Sequence, residues 1–264
     1  MERLDTGAPE IVLETEGPFA WLTVNRPEAR NAMTFPMYEA LIRACDLIEL
    51  QPALRVAIVR GAGEKAFISG TDIAEFRDLT EAAQALEYEA RFERAVARLE
   101  SLRLPTIALV RGAAVGGGAA LALACDLRVA SPDARFGVPI ARTVGNTLSV
   151  ANLSRLVDLV GPARAKEVLF TAGLLDAGQA LSLGLVNEVV AAEKLEERVR
   201  ELAGQIAQNA PITVQTAKEA VRRIVLQRRP PPADDLVLRA YLSEDFREGV
   251  RAFLEKRKPV WSGK

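Results

Sequence analysis

Hydrophobic positions fall into two regimes along this chain. Up to about residue 130, short apolar runs that fit strands alternate with longer stretches whose apolar residues repeat every three to four positions; beyond about 150 the helical period dominates. Residues 11–16 and 20–25 alternate as two strands, and Gly17-Pro18 between them predicts a hairpin. Residues 25–31, NRPEARN, form a polar loop. Thr34 is placed to cap a helix to about Leu50, with Pro36 in its first turn. The runs 56–60 and 106–110 read as buried strands, 65–72 as a strand end and turn, and 127–130 as a further strand. Thr80 caps a predicted helix to about Leu102. Residues 138–149 read as irregular, 150–160 as helix, and Gly161-Pro162 starts the next helix. Asp176 and Gln179 have capping-box spacing before a short helix that ends at Gly184, and 186–190 is a short strand. Helices follow over 193–209, 211–226 and 235–257, with RRPPP at 228–232 the one stretch of linker composition. The apolar positions of the last helix, from Leu236 through Tyr241 and Phe246 to Leu254, form a stripe that requires a covering surface, which predicts an oligomer. The pattern as a whole predicts an α/β core followed by a helical region.

One stretch concentrates the chemistry. Between Pro105 and Phe136 an apolar strand runs through Gly116, Gly117 and Gly118 into an Ala/Leu-rich segment with the composition of a buried helix. A strand, a glycine turn and a helix start in succession expose backbone N–H groups that no side chain shields. Such a turn stabilises negative charge, whether on a phosphate or on an enolate oxygen. The same glycines could also serve close packing of helix on sheet.

Composition narrows the chemistry further. The 264 residues are 49% hydrophobic and 26% charged, with a formal net charge of −1, so the chain can bury a core and shows no basic footprint for nucleic acid. No apolar run approaches a membrane span, and MERLDTGAPE lacks the features of a signal peptide, so a cytoplasmic protein is expected. Cys45 and Cys125, each inside a predicted helix, read as buried thiols and not as a disulfide framework. The chain has no histidine. That removes Ser-His-Asp and Cys-His catalysis and most zinc sites, and no metal is expected. Proton transfer is left to carboxylates, Tyr, Lys, Cys or water.

The chain resembles the crotonase superfamily, the enoyl-CoA hydratase/isomerase family, from about Ile11 to Trp261. The resemblance is carried by NRPEARNAM from Asn25, AFISGTDIAEF from Ala66 and GAAVGGGAALALACDLRVASPDARFGVP from Gly112. RLVDLVGPARAKEVLFTAG from Arg155, GLVNEVV from Gly184 and EGVRAFLEKRKPVW from Glu248 follow in the same order. It implies a ClpP/crotonase-like α/β fold, a spiral of ββα units over 1–200, with a C-terminal helical oligomerisation region over 201–264 that builds a homotrimer or a dimer of trimers. It implies an acyl-CoA thioester as substrate, with coenzyme A as part of that substrate and no covalently bound cofactor. The shared chemistry is an enolate held by two backbone N–H groups, which the resemblance places on Thr71 and Gly117. It further places Ser69, Gly70, Asp72 and Ile73 at the adenine, Glu28 and Arg30 along the pantetheine and phosphates, and Phe253 and Lys256 at the coenzyme from the last helix.

At two positions the chain departs from the family's hydratases, which use two glutamates. Ala120 stands where one is expected, two residues after the glycine triplet, and Ile140 follows Pro139 where the other is expected. The segment after Ile140 is polar, with Arg142, Thr143, Asn146, Thr147, Ser149 and Asn152. Other crotonases carry acid/base groups on the helix before the central strand; here that helix has Glu87, Tyr88, Glu89 and Glu93. Glu89 and Glu93 share a face, where they are either catalytic or paired with Arg91, Arg94 and Arg98. Three readings follow. One is an enzyme working through an enolate by isomerisation, decarboxylation or thioester hydrolysis, with Arg142 a candidate clamp for a substrate carboxylate. The second is a residual hydratase. The third is a non-catalytic acyl-CoA-binding pseudoenzyme or sensor.

Overall fold

The computed structural model describes residues 1–264. Eleven strands form two sheets. The larger has seven: β1 (Glu2–Leu4), β2 (Ile11–Glu16), β3 (Phe19–Val24), β4 (Val56–Gly61), β6 (Thr106–Val110), β8 (Leu127–Ala130) and β11 (Glu188–Val189), in that spatial order. β2 and β3 form the antiparallel hairpin expected at Gly17-Pro18; from β3 to β11 every neighbour is parallel. The smaller sheet has the order β10 (Leu175–Asp176), β9 (Arg135–Gly137), β7 (Ala113–Val115), β5 (Ala66–Ile68). Strands of the two sheets alternate along the chain from β4 to β9, so each turn of the chain adds one strand to each sheet. This is the expected α/β architecture.

The helices are α1 (Phe35–Glu49), α2 (Ala82–Glu100), α3 (Gly117–Ala124), α4 (Ile140–Thr143), α5 (Val150–Thr171), α6 (Ala177–Ser182), α7 (Leu195–Ala207), α8 (Pro211–Leu226), α9 (Asp234–Tyr241) and α10 (Glu244–Leu254). Both faces of β4 and β6 are buried, which is why they read as solid apolar runs. One face joins the main core with α1, α2 and α3; the other packs Ile58 and Ile107 against Leu195, Val199 and Ala203 of α7.

Several boundaries differ from the expectation. β7 and β9 are only three residues long, too short for periodicity to register. Segment 138–149 holds one helical turn, α4. Glu81 and not Thr80 precedes α2, and the Gln84 side chain accepts from the N–H groups of both. Gly161, at φ +74°, kinks α5 where a new helix was expected. Cys125 lies just past α3 instead of within it; both cysteines are buried and free. The division drawn between 200 and 201 falls inside α7.

The last predicted helix is two. Ser243 interrupts it and caps α10, its Oγ accepting from Phe246 N at 2.9 Å. Tyr241, Phe246 and Val250 of its stripe, together with Val237, are buried within the same chain, against α2, α4 and the 3₁₀ turn Ile73–Phe76. Leu236, Phe253 and Leu254 of the stripe stay exposed, so its own chain covers only part of it. The uncovered helix is α8, which has no buried residue.

Candidate active site

The site is built where β5 and β7 end side by side. After Ile68 the chain turns through Ser69 and Gly70, and Thr71 bridges in parallel to Met33. Met33 N donates to Gly70 O and Asp72 N to Met33 O, both at 2.8 Å. Those bonds use the groups flanking Thr71, so its own N–H faces the opposite side. Next door, Gly116 adopts φ +56°, ψ −125°, a conformation a side chain resists, with its N–H donated to Gly137 O. Gly117 opens α3, where an N–H has no intrahelical partner. Neither Thr71 N–H nor Gly117 N–H meets a protein acceptor. The two segments touch: a Cβ on Gly70 would sit 3.3 Å from Gly117 N. Gly118 serves packing instead, since a Cβ there would lie 1.9 Å from Ile68 O.

Thr71 and Gly117 line a cavity of about 80 Å³ with Ser69, Gly70, Tyr88 and Ile140 among its walls. Thr143 and Asn146 add polar atoms; Ile73, Phe76, Val144 and Leu148 add apolar surface. No carboxylate, lysine or arginine borders it.

A hydroxyl cluster sits on one wall. Thr71 Oγ1 is 2.7 Å from both the Tyr38 and the Tyr88 phenol oxygens. Burial, reinforced by Tyr38 and by the Glu89 charge, pushes the Tyr88 phenol well above its ordinary value; burial does the same to Tyr38. Behind this cluster the Tyr241 hydroxyl donates to Glu89 Oε1 at 2.6 Å, and Asn146 Nδ2 donates to Tyr241 at 2.9 Å. Glu89 is 5% exposed, and its Oε2 and the Asn146 Oδ1 are buried without partners. Burial raises the Glu89 carboxyl to about 7, against the opposing bond from Tyr241.

Glu93, one turn on, is differently engaged. Arg155 of α5, 3% exposed, binds it with two guanidinium nitrogens at 2.9 and 3.2 Å. The same arginine reaches Glu100, which also pairs with Arg229. Burial opposes ionisation of Glu100, yet these bonds hold its carboxyl down to about 2. The arginines expected beside Glu89 and Glu93 turn elsewhere: Arg91 to Glu87 and Glu39, Arg94 to Glu39, and Arg98 to Asp46 and Glu49.

Two backbone donors beside a small uncharged cavity, on interleaved parallel sheets, invite comparison with known proteins. The family model for enoyl-CoA hydratase/isomerase matches residues 14–264. The chain belongs to the enoyl-CoA hydratase/isomerase family. It is 36% identical over 251 residues to the crotonyl-CoA hydratase of Syntrophomonas wolfei, covering 94% of this chain and 96% of that one. Among solved structures it is similar to an enoyl-CoA hydratase/carnithine racemase from Magnetospirillum magneticum: TM-score 0.80, 34% identity, 98% of this chain and 97% of that one. It is also similar to a methylmalonyl-CoA decarboxylase in complex with 2-nitronate-propionyl-CoA: TM-score 0.87, 27% identity, 97% and 99% covered. A short-chain-enoyl-CoA hydratase of Clostridium acetobutylicum is likewise 36% identical over 251 residues, covering 94% of this chain and 95% of that one.

Within that family frame the expected site residues separate. Ser69, Gly70, Thr71, Ile73, Gly117 and Ile140 come together at the cavity. Ala120 is buried in α3 and does not border it. Asp72 faces Arg26, 2.6 Å away, and accepts from Ala74 N. Glu28 and Arg30 are exposed on the polar loop, which is fastened by Asn31: its Nδ2 donates to Ala62 O and Ala66 O. Arg142 is exposed and does not border the cavity. Phe253 and Lys256 are exposed at the end of α10. A second hollow of about 330 Å³ runs beside that helix, lined by Phe76, Leu79, Phe246, Val250 and the arginines 77, 247 and 251 among others, but not by Phe253 or Lys256. Tyr38 and Arg26 were not singled out from the sequence, and Tyr241 was read only as an apolar position. Tyr38 and Tyr241 fall on amphipathic helices where a tyrosine reads as core, so no local signal marks them.

Proposed function

We propose that this protein acts on a short-chain acyl-CoA thioester, holding its oxygen between the Thr71 and Gly117 N–H groups as an enolate forms. The observation that carries this is the pair of unpartnered N–H donors on a cavity of about 80 Å³. A space of that size suits a small acyl group. Two preorganised donors supply roughly 3–8 kcal/mol toward a developing oxyanion.

The enolate is best made here without a general base. Ala120 and Ile140 occupy the positions of the hydratase glutamates in the family the chain resembles, and no carboxylate borders the cavity. Alanine and isoleucine side chains neither orient a water nor take a proton. Loss of carbon dioxide from a malonyl-type thioester leaves the C–C bonding pair on the α-carbon, and the oxyanion site then does most of the work. The likeness to a methylmalonyl-CoA decarboxylase is compatible with this reading. Arg142 does not border the cavity and the Thr143 hydroxyl donates to Pro139 O, so Asn146, whose amide nitrogen carries a second proton beyond its bond to Tyr241, is the better candidate for meeting a substrate carboxylate. Coenzyme contacts are assigned to Glu28, Arg30, Asp72, Phe253 and Lys256 by resemblance alone.

Turnover of malonyl-, methylmalonyl-, crotonyl- and 3-enoyl-CoA, read by mass spectrometry with binding measured on the same sample, tests the proposal. Decarboxylation with at least a hundredfold slower hydration is expected. Efficient hydration of crotonyl-CoA would overturn it. Tight binding of every ester with no product would favour a non-catalytic acyl-CoA-binding protein, the reading the missing carboxylates also support. Self-association through the exposed face of α8, as a trimer or a dimer of trimers, belongs to the same proposal.

A further inference from the structure

Of the side chains bordering the cavity, Tyr88 alone combines a weak acid's proton with direct access to the space beside Thr71 and Gly117. Its ring is held by Phe35, Phe76, Phe92 and Tyr241, with centroid distances of 5.7, 4.9, 6.3 and 5.9 Å. Resting on the enolate reading above, we propose that the Tyr88 phenol is the catalytic proton donor of this site, delivering its proton to the α-carbon of the enolate.

Hydrogen-bond bookkeeping supports this. Tyr38, Thr71 and Tyr88 carry three hydroxyl protons but share two bonds. Tyr38 is fully buried and has Thr71 as its one hydroxyl partner, so its proton is spent there; otherwise a buried donor would be left unpaired. The leftover proton belongs to Thr71 or Tyr88, both on the cavity wall. A phenol is by far the stronger acid of the two. Once Tyr88 gives its proton up, the Thr71 hydroxyl can donate to the phenolate across the same 2.7 Å.

The step balances. The O–H bond of Tyr88 breaks and a C–H bond forms at the α-carbon from the enolate π pair. The thioester carbonyl is restored, and the phenolate is reprotonated by water after product leaves. The reverse step is disfavoured, because burial keeps the phenol protonated at neutral pH. Tyr88 thus quenches an enolate but does not create one, which matches an enolate born from C–C cleavage.

The test is decarboxylation of methylmalonyl-CoA in D₂O by the wild type, Tyr88→Phe and Tyr38→Phe. Retained propionyl-CoA binding shows that each variant is folded. Wild type is expected to give propionyl-CoA deuterated at the α-carbon in one configuration. Tyr88→Phe is expected to give a near-even mixture, with the label then delivered by water; Tyr38→Phe is expected to keep one configuration. No propionyl-CoA from wild type overturns the enolate reading and this proposal together. Wild-type turnover with an unchanged configuration in Tyr88→Phe overturns this proposal alone. Equal scrambling in Tyr38→Phe also overturns it, since the role would then be to hold Thr71.

Discussion

Glu89 and Glu93 are four residues apart on one helix, and their environments divide them. Glu93 has a buried arginine; Glu89 has a phenol on one oxygen and nothing on the other. Glu89 therefore keeps its proton to about pH 7 in the folded protein, while the ordinary value is 4.5. Between those values the native state holds a proton that the unfolded chain has lost, so stability falls as pH rises. The contribution is full below about 4.5 and gone above about 7. Glu89→Gln removes this dependence. Thermal unfolding at pH 5 and pH 8 is expected to show the melting temperature of the variant gaining on the wild type as pH rises. A difference independent of pH would mean that Glu89 titrates normally.

At the scale of elements, the site depends on how closely α3 approaches β5. Gly118 sets that approach, and its substitution by alanine drives a Cβ into the Ile68 carbonyl. Because the obstacle is backbone, the helix start must move. Gly118→Ala is expected to cost about 2–3 kcal/mol or more, within the range for overpacked cores. It should also weaken acyl-CoA binding, because Gly117 moves with its neighbour. Urea unfolding with binding measured alongside checks this; unchanged affinity in a destabilised variant would separate the glycine packing from the oxyanion pair. On the same scale, Asn31 fastens the polar loop by two carbonyl bonds and accepts from Arg26 N at 3.0 Å. The loop motif is therefore structural at Asn31, whatever its exposed residues meet.

For the whole molecule, α8 is the outlier. Val221 and Ile224, three apart on one face, are 60% and 54% exposed. Lys218 anchors this helix to the core, its Nζ 2.7 Å from Asp126 Oδ2 and from Leu104 O. A docked helix with an uncovered apolar face fits association with further copies. Ile224→Glu is expected to shift sedimentation from oligomer toward monomer. A wild type that sediments as a monomer would remove the basis for this expectation.

What the sequence determined by itself was whatever local patterning encodes. Solid apolar runs marked β4 and β6, Pro211 and Leu226 bounded α8, and ordered motifs marked the family. β7 and β9 escaped because three residues carry no period, and the break at Ser243 escaped because the apolar stripe continues through it. Tertiary structure alone decided which residue of α2 borders the cavity, and that Arg142 does not. It alone brought Tyr38 and Tyr241 up to Tyr88, which borders the cavity, from helices separated by up to about two hundred residues. A side chain's acidity is set by burial and by neighbours distant in sequence, and neither exists until the chain has folded.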